Sequence, residues 1–280
     1  MTCLANAIEL RNITKRFGQV VANKSISLEL HKGEILSLLG ENGSGKTTLM
    51  NMLSGIYYPD EGQIFVDGKE VEIRSPKDAF DLHIGMIHQH FKLVDVFTAA
   101  ENIVLGLPGE KGKMDKAAVG KAVREIADRY GFDIDPNQKI YEMSVSQKQP
   151  VEIVKVLYRG ADILILDEPT AVLTPQETEK LFSVIRNMKA DGKAVIIITH
   201  KLHEVLSISD RVAILRKGEY VGDIATKDAD EAKLTEMMVG EKVELNIERP
   251  EPVNPVKRLD IEHLTVRSAE GITVLDDASF

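Results

Sequence analysis

The sequence predicts an α/β fold with a mostly parallel sheet and some antiparallel strands attached to it. Its apolar runs are short, continuous and rich in Ile, Leu and Val, as in strands that are buried on both faces of a sheet. Helix signals separate several of these runs, and the dipeptides Asp67-Gly68 and Lys217-Gly218 predict hairpins. The apolar runs occupy residues 35–39, 163–166, 195–198 and 212–215.

Two segments carry clear signals for the start and the end of a helix. Residues 115–130 are predicted to form a helix that is capped by its first residue, an aspartate, and that ends before Gly131. Residues 175–189 are predicted to form another, because Thr174 and Glu177 make a capping box and a proline occupies the first helical position.

The chain divides at a segment that is rich in Pro and Glu. Residues 241–256 lack periodicity, so we expect a linker there. Residues 8–14 read Ile-x-Leu-x-x-Ile-Thr, and residues 259–265 read Leu-x-Ile-x-x-Leu-Thr. This weak repeat has two explanations: chance, or the start of a second copy of the domain over residues 257–280.

Composition limits the classes of function. The net charge of −9 over 280 residues argues against bulk binding of nucleic acid. The single cysteine, Cys3, permits no internal disulfide and favours a reducing compartment. No secretory signal is visible at the N-terminus, and the apolar runs are far shorter than the roughly 20 residues that span a bilayer. If the protein acts at a membrane, we therefore expect it to act through a partner protein.

The strongest motif is Gly40-Glu-Asn-Gly-Ser-Gly-Lys46-Thr47, which fits G-x-x-x-x-G-K-[ST]. A buried strand precedes it and a helix-forming run, residues 47–53, follows it. Glycines let the main chain approach phosphate oxygens closely, and the helix N-terminus favours the anion. Lys46 suits the β- and γ-phosphates, and the Thr47 hydroxyl suits Mg²⁺. The alternative is a Gly-rich turn with a surface lysine.

Two carboxylates, Asp167 and Glu168, follow the apolar run at residues 163–166. At the carboxyl end of a strand, Asp167 can hold Mg²⁺ while Glu168 polarises a water. The alternative is a solvated acidic turn. His200 also follows a strand, where it could stabilise the γ-phosphate or the attacking water, or could simply be a structural hydrogen-bonding group.

A glutamine can ligate Mg²⁺ through its carbonyl oxygen and orient water, but Gln89 alone is uninformative. His88 and His90 flank it without the spacing of a zinc site. We interpret both histidines as structural.

Together these residues resemble those of an ABC ATPase in order and spacing. Residues 40–48 resemble the Walker A loop, and Gln89 resembles the Q-loop glutamine. Residues 143–147 stand where the signature motif is expected. Residues 164–168 resemble Walker B, and His200 resembles the switch histidine. The resemblance implies catalytic roles for Glu168, His200, Gln89 and Lys46, and Mg²⁺ ligands at Thr47, Gln89 and Asp167. It implies ATP binding by Phe17, which would stack on adenine, and by Gly40, Glu41, Asn42, Gly43, Ser44, Gly45, Lys46, Thr47 and Thr48.

The resemblance also implies a domain plan, which is a P-loop NTPase domain of the ABC type over residues 1–240. This domain would have a RecA-like core, an antiparallel β subdomain and an inserted helical subdomain at about residues 91–160. Residues 241–256 would link it to the start of a truncated second ABC domain.

A narrower resemblance, carried by residues 86–94, 97–103 and 168–177, is to the tandem ATPases of nucleoside and simple-sugar importers. The implied partners are integral-membrane permease subunits, a second ABC domain or homodimer partner and, indirectly, an external solute-binding protein. No nucleic-acid partner is implied. The implied location is the cytoplasm, peripheral on the inner face of the membrane.

The signature motif departs from the family pattern at two positions. Ser146 replaces a glycine, and Pro150 replaces an arginine; we expect this proline in the first turn of its helix. Two alternatives to an importer ATPase stay open, and the altered signature motivates the first of them. One is a nucleotide-binding module with little or no turnover. The other is a soluble ABC ATPase that acts on nucleic acid or ribosomes, which the acidic balance disfavours.

Overall fold

A computed structural model of the chain describes residues 5–89, 91–107, 115–241, 258–268, 271 and 273–280. The chain divides into two compact units, Met1–Val243 and Glu244–Phe280. The predictions about Cys3, His90 and almost all of the linker lie outside the described residues. The strands are β1 (Asn6–Phe17), β2 (Val20–His31), β3 (Ile35–Leu39), β4 (Glu61–Val66), β5 (Lys69–Val71), β6 (Ile84–Ile87), β7 (Ile163–Asp167), β8 (Ala194–Ile198), β9 (Arg211–Arg216), β10 (Glu219–Ala225), β11 (Leu264–Arg267) and β12 (Thr273–Ala278). The α-helices are α1 (Lys46–Leu53), α2 (Pro76–Asp81), α3 (Ala99–Val104), α4 (Lys116–Tyr130), α5 (Val145–Tyr158), α6 (Pro175–Ala190), α7 (Leu202–Ile208) and α8 (Glu231–Val239).

The core of the first unit is a six-stranded sheet in the order β10-β9-β3-β8-β7-β6. Neighbouring strands from β9 to β6 pair in parallel, and only β10 is antiparallel. Every residue of β3, β7 and β8 is buried, as continuous apolar runs predict for strands that are covered on both faces. The predicted α/β fold with a mostly parallel sheet is confirmed.

A second sheet, in the order β2-β1-β4-β5, is antiparallel throughout. Both predicted hairpins are confirmed. At the turn between β4 and β5, Asp67 and Gly68 have φ angles of 49° and 75°, and Lys217 and Gly218 between β9 and β10 have 50° and 80°. Two successive positive φ angles match the right-handed twist of the flanking strands.

The predicted helix signals are also confirmed. Asp115 caps α4 and Gly131 ends it in the left-handed conformation, while Thr174 and Glu177 form the capping box of α6. Helices α3, α4 and α5 lie between β6 and β7 and share their own buried apolar cluster. In the described ranges, none of the helices has the length and apolar character that a membrane span requires.

The expectation for Pro150 was wrong. Helix α5 begins at Val145, after its cap Ser144, so Pro150 is the sixth helical residue and lies beyond the first turn. A proline there has no N–H for the carbonyl of Ser146, four residues earlier, and its ring crowds that carbonyl. The replacement of arginine therefore carries a cost in helix stability as well as a change in charge.

Arg211 joins the two sheets of the first unit. From β9, its guanidinium donates to both carboxylate oxygens of Glu34 at 2.8 and 3.1 Å and to Asp223 on β10 at 3.0 Å. The same group donates to the carbonyl of Glu29 on β2 at 2.6 Å. The Glu34 side chain is 7% exposed, so this ion pair is largely shielded from water.

Strands β1 and β2 share a bend at which two residues adopt positive φ. Asn12 and Ser25 have φ angles of 51° and 49°. The Asn12 N–H donates to Ser27 Oγ at 3.0 Å, and the Ser25 N–H donates to Thr14 Oγ1 at 3.0 Å. Side-chain hydroxyls thus accept from main-chain groups that the ladder leaves unpaired at the bend.

The second unit contains a hairpin of β11 and β12 with the same bend. His263 and Asp277 have φ angles of 53° and 48°. The His263 N–H donates to Ser279 Oγ at 3.0 Å, and the Asp277 N–H donates to Thr265 Oγ1 at 3.1 Å. His263 and Thr265 occupy the positions that the sequence repeat assigns to Asn12 and Thr14. Asp277 and Ser279 follow as Ser25 and Ser27 do in the first bend, with one extra residue in the turn, so Phe280 is the counterpart of Leu28.

Removing the guanidinium of Arg211 should destabilise the first unit. We expect Arg211→Met to lower the free energy of unfolding by about 2–4 kcal/mol, because Glu34 is left buried and unpaired. Arg211→Met combined with Glu34→Gln should recover part of this loss. Urea unfolding followed by circular dichroism measures both.

Arg74→Met is the matched control, because Arg74 pairs with Glu72 on the surface and both side chains are about two-thirds exposed. It should change stability by no more than about 0.5 kcal/mol. Equal losses at Arg74 and Arg211 would contradict the role that we assign to burial.

Replacing Pro150 should stabilise helix α5. We expect Pro150→Ala to raise the free energy of unfolding by about 1–3 kcal/mol, because the helical hydrogen bond to Ser146 is restored. Pro175→Ala is the control, since Pro175 is the first residue of α6, where proline is favourable. That variant should gain nothing, and a gain at Pro175 with none at Pro150 would refute the argument. Thermal and urea unfolding give the comparison.

Candidate functional site

The phosphate loop connects β3 to α1 and has no room for side chains at two of its glycines. A Cβ at Gly40 would lie 2.2 Å from the carbonyl oxygen of Leu215. A Cβ at Gly45, whose φ is 96°, would lie 2.4 Å from the carbonyl oxygen of Ala22. Gly45 begins α1 without a side-chain cap, so the first N–H groups of the helix face the loop.

Lys46 closes this loop on itself. Its buried ammonium donates to the carbonyl oxygens of Gly40 at 2.7 Å and Glu41 at 3.0 Å. Burial lowers the pKa of Lys46, although the charges of Glu168 and Asp167 oppose the shift.

Two further polar side chains meet at the loop. The Asn23 amide, which is fully buried, donates to the carbonyl of Gly45 at 3.1 Å. The Ser44 hydroxyl is buried and has no partner among the described residues. A loop that admits no Cβ at Gly40 and Gly45, with a buried cation and an unsatisfied hydroxyl, fits a phosphate group.

The two carboxylates occupy the end of β7, next to this loop. Asp167 is 8% exposed and accepts a hydrogen bond from Thr47. Burial and the neighbouring charge of Glu168 raise the pKa of Asp167, against the hydrogen bond from Thr47 and the charge of Lys46. A bound cation at this point would favour the charged carboxylate, so the site fits a divalent metal.

Glu168 is held in a strained backbone conformation with a φ of 48°. Its N–H donates to the carbonyl of Ile198 on β8 at 2.9 Å. Its Oε1 lies 2.8 Å from Nδ1 of His200, and its Oε2 is buried without a partner among the described residues. One carboxylate oxygen is thus fixed, and the other is left as an unsatisfied acceptor.

Gln89 follows β6 and lines a cavity of about 80 Å³ together with Asp167 and Glu168. Helix α5 is hydrogen-bonded to the segment after Glu168 and to the segment after Gln89. Gln149 donates to the carbonyl of Pro169 at 2.7 Å, and Glu152 accepts from the Lys92 N–H at 2.7 Å. The structure therefore brings Gln89 together with the carboxylates, as the resemblance implies.

The residues of the proposed metal site are not a classical multi-carboxylate cluster. Among the residues that the structure describes, no group of three or more His, Cys, Asp and Glu side chains could hold a metal ion. Mg²⁺ needs no such group, because it commonly takes one or two carboxylates and completes its shell with phosphate and water.

Phe17 lies at the end of β1, and the residue is 43% exposed. Its nearest aromatic neighbour is Tyr57, with ring centroids 5.1 Å apart. The hairpin pairs Phe17 with Val20 in β2, the strand that also carries Ala22 and Asn23 to the phosphate loop. Strand β2 therefore connects the end of β1, where Phe17 lies, to residues that contact the phosphate loop.

The signature segment, residues 143–147, contains the N-cap of helix α5. Ser144 and Gln147 form the capping box of α5, and the Ser144 hydroxyl lies 2.9 Å from that of Ser146. Ser146 is half-buried at this helix N-terminus. Its hydroxymethyl group occupies space that a glycine would leave open.

Sequence reasoning missed three residues that support the site, namely Asn23, Tyr57 and Gln149. Asn23 and Gln149 are polar side chains that are buried, and a buried polar side chain is a signal for a specific hydrogen bond. Tyr57 carried no comparable signal.

Comparison with known proteins agrees with this geometry. The family model described as "ABC transporter" matches residues 23–171. The nucleoside import ATP-binding protein NupA of Lactococcus lactis subsp. cremoris is 46% identical over 94% of this chain and 52% of its own length. The guanosine import ATP-binding protein NupO of Bacillus subtilis is 48% identical over 97% of this chain and 54% of its own length. The chain thus spans about half the length of these relatives.

A solved structure shares the fold. The crystal structure of the ADP conformation of MJ1267, an ATP-binding cassette of an ABC transporter, superimposes with a TM-score of 0.74 at 26% identity. The match covers 84% of this chain and 99% of that one. Because the family model also covers more than half of its residues, the chain belongs to the ABC transporter family, as an ATP-binding cassette.

Proposed function

We propose that this chain binds and hydrolyses ATP as a subunit of an ABC importer that takes up nucleosides or simple sugars. The observation that carries the proposal is the Glu168 carboxylate, with one oxygen bonded to His200 and the other buried and unsatisfied beside the phosphate loop. The substrate class rests on the relatives, of which one is a nucleoside importer protein and another a guanosine importer protein.

In the proposed mechanism the phosphate loop and helix α1 bind the triphosphate, and Phe17 stacks on adenine. Lys46 leaves the carbonyls of Gly40 and Glu41 and neutralises charge on the β- and γ-phosphates. Thr47, Gln89 and Asp167 are the residues that would hold Mg²⁺, which would supply further charge neutralisation at the phosphates.

Glu168 polarises the attacking water through Oε2, which has no competing partner among the described residues. His200 holds Oε1 through Nδ1, which leaves Nε2 to meet the γ-phosphate. Catalysis is then positioning plus charge stabilisation, as is usual for phosphoryl transfer.

The proposed assembly places this chain on the cytoplasmic face of a membrane, bound to permease subunits. Its partner in ATP binding is a second ABC domain or another copy of the chain, and an external solute-binding protein delivers the solute. Nucleic acid has no part in this proposal, and the net charge of −9 supports that choice.

We also propose that residues 1–240 are one ABC domain and that residues 257–280 begin a second, after a linker over residues 241–256. The repeated bend supports this, because two main-chain to hydroxyl hydrogen bonds and two positive φ angles recur at matching positions. Exposure supports it as well. Ile13 is fully buried in the first unit, whereas Leu264, its counterpart, is 37% exposed within the described residues.

Removing the charge of Glu168 tests the catalytic role. In a complex with a complete second domain, Glu168→Gln should bind Mg²⁺-ATP as the unchanged chain does, but lose hydrolysis by at least about 10²-fold. Binding is measured by calorimetry and turnover by phosphate release.

Glu179→Gln is the control, because Glu179 is an exposed carboxylate on α6 and should have no effect on either measurement. Unchanged hydrolysis by Glu168→Gln would remove Glu168 as the base. If the unchanged chain binds ATP but does not hydrolyse it in the complete complex, the low-turnover alternative is correct.

Reading the coding DNA beyond Phe280 tests the second domain. In the first unit Gly40 follows Leu28, the counterpart of Phe280, by 12 residues. We therefore expect an open frame with another G-x-x-x-x-G-K-[ST] motif that begins about a dozen residues further on. A stop codon directly after Phe280 would contradict the tandem arrangement.

A further inference from the structure

Two exposed aromatic rings meet at the edge of the nucleotide site. Phe17 and Tyr57 are 43% and 37% exposed as residues, and their ring centroids are 5.1 Å apart with planes inclined at 71°. This is the edge-to-face geometry that aromatic pairs prefer. An edge-type contact engages at most one face of the Phe17 ring, so the other face is not used by Tyr57.

The main chain fixes Tyr57 from the side of the phosphate loop. Tyr57 follows α1, and the N–H groups of Ile56 and Tyr57 both donate to the carbonyl of Asn51, at 2.9 and 3.1 Å. The main chain of Tyr57 is therefore hydrogen-bonded to α1, the helix that follows the phosphate loop.

Asp60 fixes the same segment from the side of Phe17. Its N–H donates to the carbonyl of Thr14 at 2.8 Å, and its carboxylate accepts from the Arg16 N–H at 2.6 Å and from Lys15 Nζ at 2.9 Å. Lys15 Nζ also lies 5.6 Å from the centroid of the Phe17 ring. The segment that carries Tyr57 is thus bonded at one end to α1 and at the other to the end of β1.

We propose that Tyr57 is a positioning residue that orients Phe17 as the stacking surface for the base of the bound nucleotide. Phe17 lies near the tip of a hairpin, where its ring would otherwise rotate among several conformers. Contact with Tyr57 restrains the ring before the nucleotide binds, so less conformational entropy is lost on binding. The inference rests on the proposed function, in which Phe17 stacks on adenine.

Tyr58 shows that exposure alone does not confer this role. The residue is 42% exposed, but its ring faces the guanidinium of Arg74, which lies 5.0 Å from the ring centroid. Tyr58 therefore provides a neighbouring tyrosine of equal exposure that faces another group.

The experiment compares two ligands, Mg²⁺-ATP and inorganic tripolyphosphate, by calorimetry on the full chain. Tyr57→Ala should weaken ATP binding by about three- to tenfold, the size of an aromatic contact. It should change tripolyphosphate binding by less than about twofold, because that ligand has no base to stack. Tyr57→Phe should restore the ATP affinity, and Tyr58→Ala should leave it unchanged.

A double-mutant cycle sharpens the assignment. If Tyr57 acts through Phe17, adding Tyr57→Ala to Phe17→Ala should weaken ATP binding no further than Phe17→Ala alone. Full additivity, an equal loss for both ligands, or the same loss in Tyr58→Ala would overturn the inference. When the unchanged chain binds ATP and Tyr57→Ala binds it equally well, only this inference fails; when the unchanged chain binds no ATP, the proposed function fails too.

Discussion

The adjacency of β3, β8 and β7 in a parallel sheet is the constraint on which the site depends. Parallel strands bring their carboxyl ends to one edge, and these three strands lead into the phosphate loop, His200 and the carboxylates. Glu168 shows how tightly the edge is built, since its N–H bonds to β8 while its side chain bonds to His200. A change in strand order would separate these groups even if each local motif were kept.

Helix α5 is the second element that defines the site, because it connects three loops. Its cap carries the altered signature, Gln149 holds the carbonyl of Pro169, and Glu152 holds the segment after Gln89. A rotation of α5 would therefore move the neighbourhood of the carboxylates and of Gln89 together. Pro150 lies within this helix, between the signature residues and Glu152, and weakens the helix where these connections meet.

Most of the fold, and the placement of the phosphate loop between a buried strand and a helix, could be predicted from the sequence because the signals are local. Buried strands, capping boxes, the hairpin dipeptides and the phosphate loop each involve residues that are close along the chain. The misplaced Pro150 has a local cause as well: the helix starts at Val145, earlier than we expected. The remaining features depend on contacts that are distant in sequence. Examples are the ring of Tyr57 against Phe17, and the amide of Gln149 against Pro169.

The bent hairpins of the two units have the same backbone conformation at the bend, although their side chains differ. At the two positive-φ positions the first hairpin has asparagine and serine, and the second has histidine and aspartate. In both hairpins the two side chains bond across the bend, at 3.2 Å in the first and 2.6 Å in the second. The two bends therefore share a backbone shape and a cross-strand hydrogen bond although their residues differ. A bend of this kind is therefore specified by backbone conformation and by polar side chains of several types, so residue identity alone would not reveal it.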